Sequence, residues 1–329
     1  MSRRKIPEQN SLIPIDNSIN ELFDFEEKRE KKYQIGYIPS FFTATSLPFK
    51  NMHKTNFVRK GSNGIVLTLS SPKNVPFGRY GRLLLSVLTT HAVLAPTKKN
   101  GLFIEYASLA DLLRELQLPK QRGTQIKEQL ECFSSAAFTF EQEVKEVQSA
   151  YLFKDLYEDG NYPKKDIIVK TKSTGNIRFT TGIQYKEIED GSGEVKSGYF
   201  KIILSPEFCD FCSQHAVPIN YEVYKDIESP IGKDLYAWLV FRNNALQDKV
   251  FIPREKLVEQ FIPVEPGKDK NIVNVNYARI IELLKEIKEK YYKEVKIDFS
   301  KDGDGITLHK SPTPVLKDDK RYALITTDL

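Results

Sequence analysis

The chain has 329 residues, of which 40% are hydrophobic and 28% are charged, and this is enough apolar material for two domain cores. Its net charge of +5 is mildly basic, which permits a nucleic-acid partner without requiring one. No apolar run approaches the roughly 18 residues of a membrane-spanning helix, and the start MSRRKIPEQN lacks a secretory signal, so we expect a cytoplasmic protein that does not bind membranes.

In the first half, the pattern of apolar residues predicts a series of short elements after a flexible polar tail. The run GIVLTLSS (64–71) is typical of a strand, and RYGRLLLSVLTTHAVL (79–94) of a buried helix that ends before Pro96. The strand LFIEYAS then precedes the helix SLADLLRELQL, which Ser108 caps. The next helix carries KQRGTQIKEQLECFSSAAF, and the runs AAFTFEQE and SAYLFKDL are predicted to form a β-hairpin.

The middle of the chain is predicted to alternate between loops and strands. Residues 155–176 and 188–198 are rich in Gly, Pro, Lys and Asp, and we expect them to be loops. The runs IRFTTGIQY and GYFKIILS are predicted to pair as strands, and a short helix is predicted in SPEFCDFCSQHAVPI.

In the second half, the run SPIGKDLYAWLVFR predicts a buried helix with the side chain of Ser229 as its cap and Pro230 in its first turn. It contains the chain's only tryptophan, Trp238. A short strand (KVFIP), a short helix (PREKLVEQF), a long helix (272–292) and a hairpin around DGDG are predicted to follow. The buried helix is expected to support the two helices after it.

The two halves therefore repeat one order: buried helix, short strand, short helix, longer helix and hairpin. This is the order of a winged helix. The predicted fold is α+β, with two tandem winged-helix domains that have hairpin wings. The predicted boundaries are a flexible polar tail (1–33), a first domain with a β insertion (34–215), a second domain (216–316) and a C-terminal tail (317–329).

Several blocks of this sequence resemble the RepA (TrfA-like) family of plasmid replication initiators. The blocks in the first half are IGYIPSFFTATSLPF, FVRKGSNGIVLTL, PFGRYGRLLLSVLTTHAV and LADLLRELQL, and those in the second half are LYAWLVFR, REKLVEQF and GITLHKSPTPV. The similarity runs from about residue 35 to residue 316. It implies two winged-helix domains that bind iterons, which are short repeats in plasmid origin DNA. It further implies melting of the origin, contacts with the host helicase and initiator, and both monomeric and dimeric forms.

In a winged helix, the third helix usually enters the major groove of double-stranded DNA and the hairpin touches the adjacent backbone or minor groove. In the second half, amide and basic side chains mark that helix and its wing: Lys268, Lys270, Asn271, Asn274, Asn276, Arg279, Lys301 and Lys310. Asn can pair with adenine, Arg with guanine, and Lys with phosphates. The alternative is that the asparagines only cap the helix and the lysines are solvated.

In the first half, the equivalent helix start is also basic and rich in amides. The candidate DNA-binding residues there are Lys120, Gln121, Arg122, Thr124, Gln125 and Lys127. The alternative is an ordinary exposed helix start.

The sequence predicts no catalytic, metal or cofactor site. Cys209 and Cys212 form a CxxC pair without a second ligand pair, so packing is the simpler interpretation. The four histidines are scattered, and no P-loop motif is present. We therefore expect no enzymatic activity.

Three other functions are compatible with parts of this pattern. A transcriptional repressor or copy-number regulator would use the same DNA-binding domains without initiating replication. A nicking enzyme would need a His or acidic cluster beside a tyrosine, and none stands out. A packaging protein would show no sequence preference.

Residues 19–25, INELFDF, loosely resemble the short motifs by which replication proteins bind sliding clamps. They lack the usual glutamine, which favours a plain amphipathic segment of the tail.

Overall fold

The structure is a computed structural model that describes residues 35–61, 65–95, 101–148, 167–186, 188–189, 195–196, 199–262 and 270–315. The two predicted tails and the run SAYLFKDL lie outside the described residues. Helices and strands are mixed along the chain, so the architecture is α+β, as predicted. Every helix in the described part of the chain is too short or too polar to cross a bilayer.

One order of elements occurs twice. In the first half it comprises α2 (Gly78–Leu94), β4 (Leu102–Tyr106), α3 (Leu109–Glu115), α4 (Gly123–Ser135), β7 (Thr180–Tyr185) and β10 (Phe200–Leu204). In the second half it comprises α7 (Pro230–Ala245), β12 (Val250–Pro253), α8 (Arg254–Phe261), α9 (Lys270–Glu286), β13 (Ile297–Phe299) and β14 (Gly305–Leu308). A π-helical turn, Ile287–Tyr291, extends α9, so the predicted helix over 272–292 is confirmed.

The two sets also share one sheet topology. In the first, the last strand β10 lies between β4 and β7, and all pairs are antiparallel. In the second, the last strand β14 lies between β12 and β13, again antiparallel. The internal repeat predicted from the order of elements is therefore present in the strand pairing too.

The prediction that AAFTFEQE and SAYLFKDL form a hairpin after α4 is wrong. Strand β5 (Ala137–Gln148) pairs with β6 (Ile167–Arg178), so part of the predicted loop 155–176 is a strand. Gly175 in β6 lies against the Phe140 ring, where an added Cβ would come within 2.3 Å of a ring carbon, so this glycine marks a close approach rather than a turn. The second predicted loop contains the short paired strands β8 (Ile188–Glu189) and β9 (Val195–Lys196).

The remaining described elements surround these two sets. The β5–β6 hairpin extends a sheet with β2 (Asn56–Lys60) and β3 (Val66–Ser70) in the order β2-β3-β5-β6. The other elements are β1 (Ile35–Pro39), α1 (Ser40–Ala44), α5 (Pro206–His215), β11 (Ala216–Asn220) and α6 (Tyr221–Asp226). Strand β1 pairs with β11, so the start of the predicted second domain pairs with the start of the predicted first domain. The domain boundary at residue 216 stays a prediction.

The tryptophan helix α7 begins as its sequence predicts. The hydroxyl of Ser229 accepts a hydrogen bond from the Gly232 amide at 3.2 Å, and Pro230 occupies the first turn. Trp238 is 2% exposed, and α7 contacts both α8 and α9. The predicted supporting role of this buried helix is confirmed.

Charged side chains are buried where α7 meets the first half. Arg82 on α2 is 2% exposed and donates two hydrogen bonds of 2.7 Å to the carboxylate of Asp234 on α7. The neighbouring Lys233 is fully buried, and its ammonium donates to the carbonyls of Tyr224 and Lys225. Burial holds the pKa of Lys233 well below its ordinary value, because its charge is removed from water. This charge cluster joins the two halves within one core.

Candidate nucleic-acid interface

The outer face of α9 carries the side chains that sequence reasoning assigned to base recognition. Asn271, Asn274 and Arg279 are exposed, whereas Asn276 is half-buried. Lys268 lies outside the described residues, and Lys270 is the first residue of the helix. Three of the four predicted amide and guanidinium side chains of α9 therefore share one solvent-facing surface.

The opposite face of α9 anchors the helix to the adjacent sheet. Ile280 and Leu284 are fully buried, and Tyr277 is 9% exposed. The Tyr277 hydroxyl donates a 2.9 Å hydrogen bond to the carbonyl of Gly305, the first residue of β14. The inner face thus holds α9 at a set position beside the β13–β14 hairpin.

The β13–β14 hairpin presents the two lysines predicted for the wing. Lys301 lies in the turn and Lys310 lies just after β14, and both are exposed. Gly303 completes the turn with φ +69°, a conformation that favours glycine. His309, the residue before Lys310, has its Nε2 2.7 Å from Asp298 Oδ2, so a carboxylate belongs to the same hairpin. The hairpin therefore offers separate points of positive charge rather than a continuous basic strip.

The start of α4 forms the equivalent surface in the first half. Lys120–Arg122 form a single 3₁₀ turn that leads directly into α4, and all three residues are exposed together with Thr124 and Lys127. Gln125 departs from the prediction because it is half-buried, and its Oε1 is buried without a hydrogen-bond partner among the described residues. Its amide is only partly available to a ligand.

The exposed charges differ between the starts and the later turns of α4 and α9. On α4, exposed Lys127 is followed by exposed Glu128 and Glu131, whereas on α9 exposed Arg279, Glu282 and Lys285 alternate in sign. Helix N-termini also carry a partial positive charge from the backbone dipoles. An anionic partner is therefore favoured at the beginning of each helix and disfavoured further along α4.

Sequence reasoning missed two apolar side chains on the outer face of α9. Val275 is 69% exposed and Ile272 is 39% exposed, beside the exposed asparagines. Together with Arg279 they follow helical spacing of three and four residues, so they lie along one stripe. The sequence signal that could have revealed them is their position among Asn271, Asn274 and Asn276, which were predicted to face DNA. Apolar groups here suit the methyl group of thymine, which is exposed in the major groove.

The cysteine pair lies in the core. Cys209 is 5% exposed and Cys212 is fully buried, both on α5. Burial raises the pKa of Cys209 to about 11 and that of Cys212 well above its ordinary value, which disfavours the thiolate needed for redox or metal chemistry. Within the described ranges, no three His, Cys, Asp or Glu side chains are grouped as metal ligands.

No family model matches the chain, and no curated protein matches it. Solved structures do match. A selenomethionine derivative of domains 2 and 3 of RctB has a TM-score of 0.42 at 12% identity, and the match covers 83% of this chain and 96% of that chain. A second structure of RctB domains 2-3 has a TM-score of 0.39 at 10% identity, covering 80% and 92%.

A third similar structure is the Pi initiator protein in complex with iteron DNA. Its TM-score is 0.41 at 12% identity, and the match covers 84% of this chain and 96% of that chain. An initiator protein, the class named by the sequence resemblance, is therefore among the structural neighbours.

Proposed function

We propose that this protein is a plasmid replication initiator that binds repeated sequences at a plasmid origin through two winged-helix units. The observation that carries the proposal is the repeated unit of three helices and a three-stranded sheet. In each unit the first strand follows the first helix and pairs with the last strand. The last strand also pairs with the middle strand to form a hairpin. This connectivity supports the proposed winged-helix units, whose third helix would enter the major groove.

The chemistry of the third helices supports the same proposal. The start of α4 combines exposed Lys120, Arg122 and Gln121, and α9 combines exposed amides with Arg279. Phosphate contacts position such a protein, and amide and guanidinium contacts with base edges specify the sequence. Two helices of this kind in one chain suit a site with two recognition segments, as in a repeat that spans more than one turn of the duplex.

The remaining parts of the proposal extend beyond DNA binding. Initiation requires melting of the adjacent origin DNA and recruitment of the host helicase and initiator, and the protein is proposed to act in the cytoplasm in monomeric or dimeric form. None of these steps requires a catalytic site in this chain. Permanganate reactivity of thymines next to the bound repeats tests origin melting, because permanganate oxidises unpaired thymines. A repressor without initiator activity would bind the same repeats and leave these thymines unreactive.

DNA binding is tested by selecting bound duplexes from a library with a randomised core and measuring their affinity by fluorescence anisotropy at two salt concentrations. We expect one enriched motif and an affinity that falls steeply with salt. Arg279→Ala should weaken binding to that motif by about 1–3 kcal/mol and relax the preference at the contacted base pair. Arg114→Ala is the matched control, since Arg114 pairs with Asp111 on the same helix, α3. This substitution is expected to leave the enriched motif and the affinity for it unchanged. A library without any enriched motif would contradict the proposed function.

The apolar stripe on α9 gives a second, independent prediction. Replacing a thymine of the selected motif with deoxyuridine removes only its methyl group, and at one position this should weaken binding about fourfold. In Val275→Ala that same change should have no effect, because the methyl group has lost its apolar partner. Val58→Ala serves as control, since Val58 is 59% exposed on β2. Equal sensitivity to uracil in all three proteins would exclude Val275 from base reading.

A further inference from the structure

A cavity lies at one end of the four-stranded sheet β2-β3-β5-β6. Its volume is about 710 Å³, within the usual size range of small-molecule sites. One row of paired residues, with one member from each strand, lines it: Asn56, Ser70, Ala137 and Arg178. Ala137 has only a methyl group as its side chain, so the row contains a hollow between the side chains of Ser70 and Arg178.

The row belongs to the outer face of this sheet. Paired residues of antiparallel strands lie on the same face, and successive residues of a strand lie on opposite faces. The adjacent residues Leu69 and Phe138 are fully buried in the core, and Ile177 is 7% exposed. The side chains of the row therefore point away from the core, and three of the four are exposed.

Hydroxyl groups make up most of the cavity lining. Serines and threonines of β3, α4, β7 and the adjoining loops contribute them, and no acidic or aromatic side chain of the described residues lines the cavity. The hydroxyls of Ser71 and Ser135 lie 3.0 Å apart, so one donates to the other and the second keeps a free hydrogen. Thr55 and Ser70 add hydroxyls that make no hydrogen bond within the described chain. The cavity therefore offers several hydrogen-bond donors to a ligand.

The end of α4 forms one wall of the cavity, and the carbonyls of a helix end carry partial negative charge. The carbonyls of Phe133 and Ser134 accept hydrogen bonds from the Thr180 hydroxyl, both at 3.3 Å. The carbonyl of Ala136, the first residue after the helix, accepts one from the Phe179 amide at 3.4 Å. Because these acceptors are occupied, the helix end opposes an anionic ligand less than free carbonyls would.

Positive charge at the cavity has no counter-ion in the described part of the chain. The Arg178 guanidinium is exposed, and no described carboxylate lies within ion-pair distance of it. Lys54 and Lys73, both exposed, flank lining residues in the two loops beside β2 and β3. Glu131 on α4 is exposed one turn before the lining serines but does not itself line the cavity. The local charge therefore favours an anionic ligand.

A free guanidinium and hydroxyl donors, without a carboxylate, define the chemistry of the ligand. Arginine binds a phosphate group through two parallel N–H donors, and hydroxyls can donate to the remaining oxygens. A neutral sugar would use the hydroxyls and leave Arg178 without a counter-ion. We propose that this cavity binds a phosphate-bearing ligand, with the phosphate over Ala137 and between Arg178 and Ser70. The phosphate belongs either to a free nucleotide or to a DNA backbone, and these two sources predict different binding results.

A free nucleotide is tested by isothermal titration calorimetry of the full chain with ADP, which does not depend on the proposed DNA binding. Arg178→Ala should weaken ADP binding about tenfold or more, and Arg178→Lys should restore part of the loss, because lysine lacks the paired donors. For a DNA backbone, ADP does not bind, and Arg178→Ala reduces the salt slope of duplex binding by about one. Arg114→Ala, at an arginine outside the cavity, should change neither result. If neither ADP nor the duplex binds in a way that depends on Arg178, the proposal is overturned.

Two variants of Ala137 test the charge while Arg178 stays in place. Ala137→Asp puts a carboxylate beside Arg178, its cross-strand partner, so binding of the Arg178-dependent probe should be lost. Ala137→Asn introduces an amide of nearly the same size and should keep most of the binding. The far-UV circular dichroism of both variants should match that of the wild type, which separates a lost contact from a misfolded protein. Equal affinities of the two variants would overturn the proposed pairing of the phosphate with Arg178.

Discussion

Asp234→Ala is expected to lower the free energy of unfolding by about 3–5 kcal/mol, because it leaves a buried guanidinium without its counter-ion. Arg82 donates from Nε to Oδ1 and from a terminal nitrogen to Oδ2 of Asp234, both at 2.7 Å. Arg82 also donates to the carbonyls of Leu47, Pro48 and Gly78, which hold its side chain in place. The guanidinium therefore cannot reach water when the carboxylate is removed. Urea denaturation of the purified protein measures the loss.

The control for this prediction is an exposed ion pair that also links the two halves. Arg79 lies 3.3 Å from Glu228, whose side chain is 86% exposed, so Glu228→Ala should have a much smaller effect. The double variant R82M/D234L should recover part of the stability lost in Asp234→Ala, because it removes the unpaired buried charge. Similar stabilities of Asp234→Ala and Glu228→Ala would show that the buried pair does not hold the halves together.

Trp238→Ala is expected to cost about 3–5 kcal/mol through the cavity that it leaves in the core. The indole is 2% exposed, and its ring meets Phe261 of α8 edge to face, with ring centroids 5.2 Å apart. Since α7 also supports α9, loss of this side chain should loosen the packing under the candidate recognition helix. Thermal unfolding followed by circular dichroism measures the effect.

Trp238→Phe separates ring packing from polar contacts at this site. The indole N–H has no acceptor among the described residues, so phenylalanine removes a buried donor while keeping an aromatic ring. Its cost should be well below that of alanine. An equal loss in both variants would contradict this prediction, because it would mean that a phenyl ring recovers none of the packing of the indole.

Features set by interactions between residues close in sequence were predicted correctly, whereas a pairing between distant strands was not. The helix α7 was predicted with its cap and buried face, because Ser229, Pro230 and the apolar periodicity act within a few residues. The hairpin after α4 was predicted wrongly, because β5 pairs with residues beyond the segment that follows it directly. Strand patterns show which residues prefer β structure but not which partner they take.

In the candidate DNA interface, likewise, the composition of the helix starts was predicted, and the side chains exposed by packing were not. The basic segments around Lys120, just before α4, and at Lys270, where α9 begins, were found from composition and position. The exposure of Val275 was not predicted from the sequence, because an apolar residue at helical spacing is usually a core residue. Only the packing of α9 against its neighbours decides which of its apolar side chains face outward.

The sequence by itself determined the class of fold, the repeated order of elements, the buried tryptophan helix and the basic starts of two helices. Each of these depends on side-chain patterns and caps that operate over a few residues. The tertiary structure alone decided the central position of β10 and β14 in their sheets, the outward stripe on α9 and the ion pair between residues 152 positions apart, Arg82 and Asp234. Those features arise from contacts between distant segments, and the free energy of burial and pairing is set only once the segments meet.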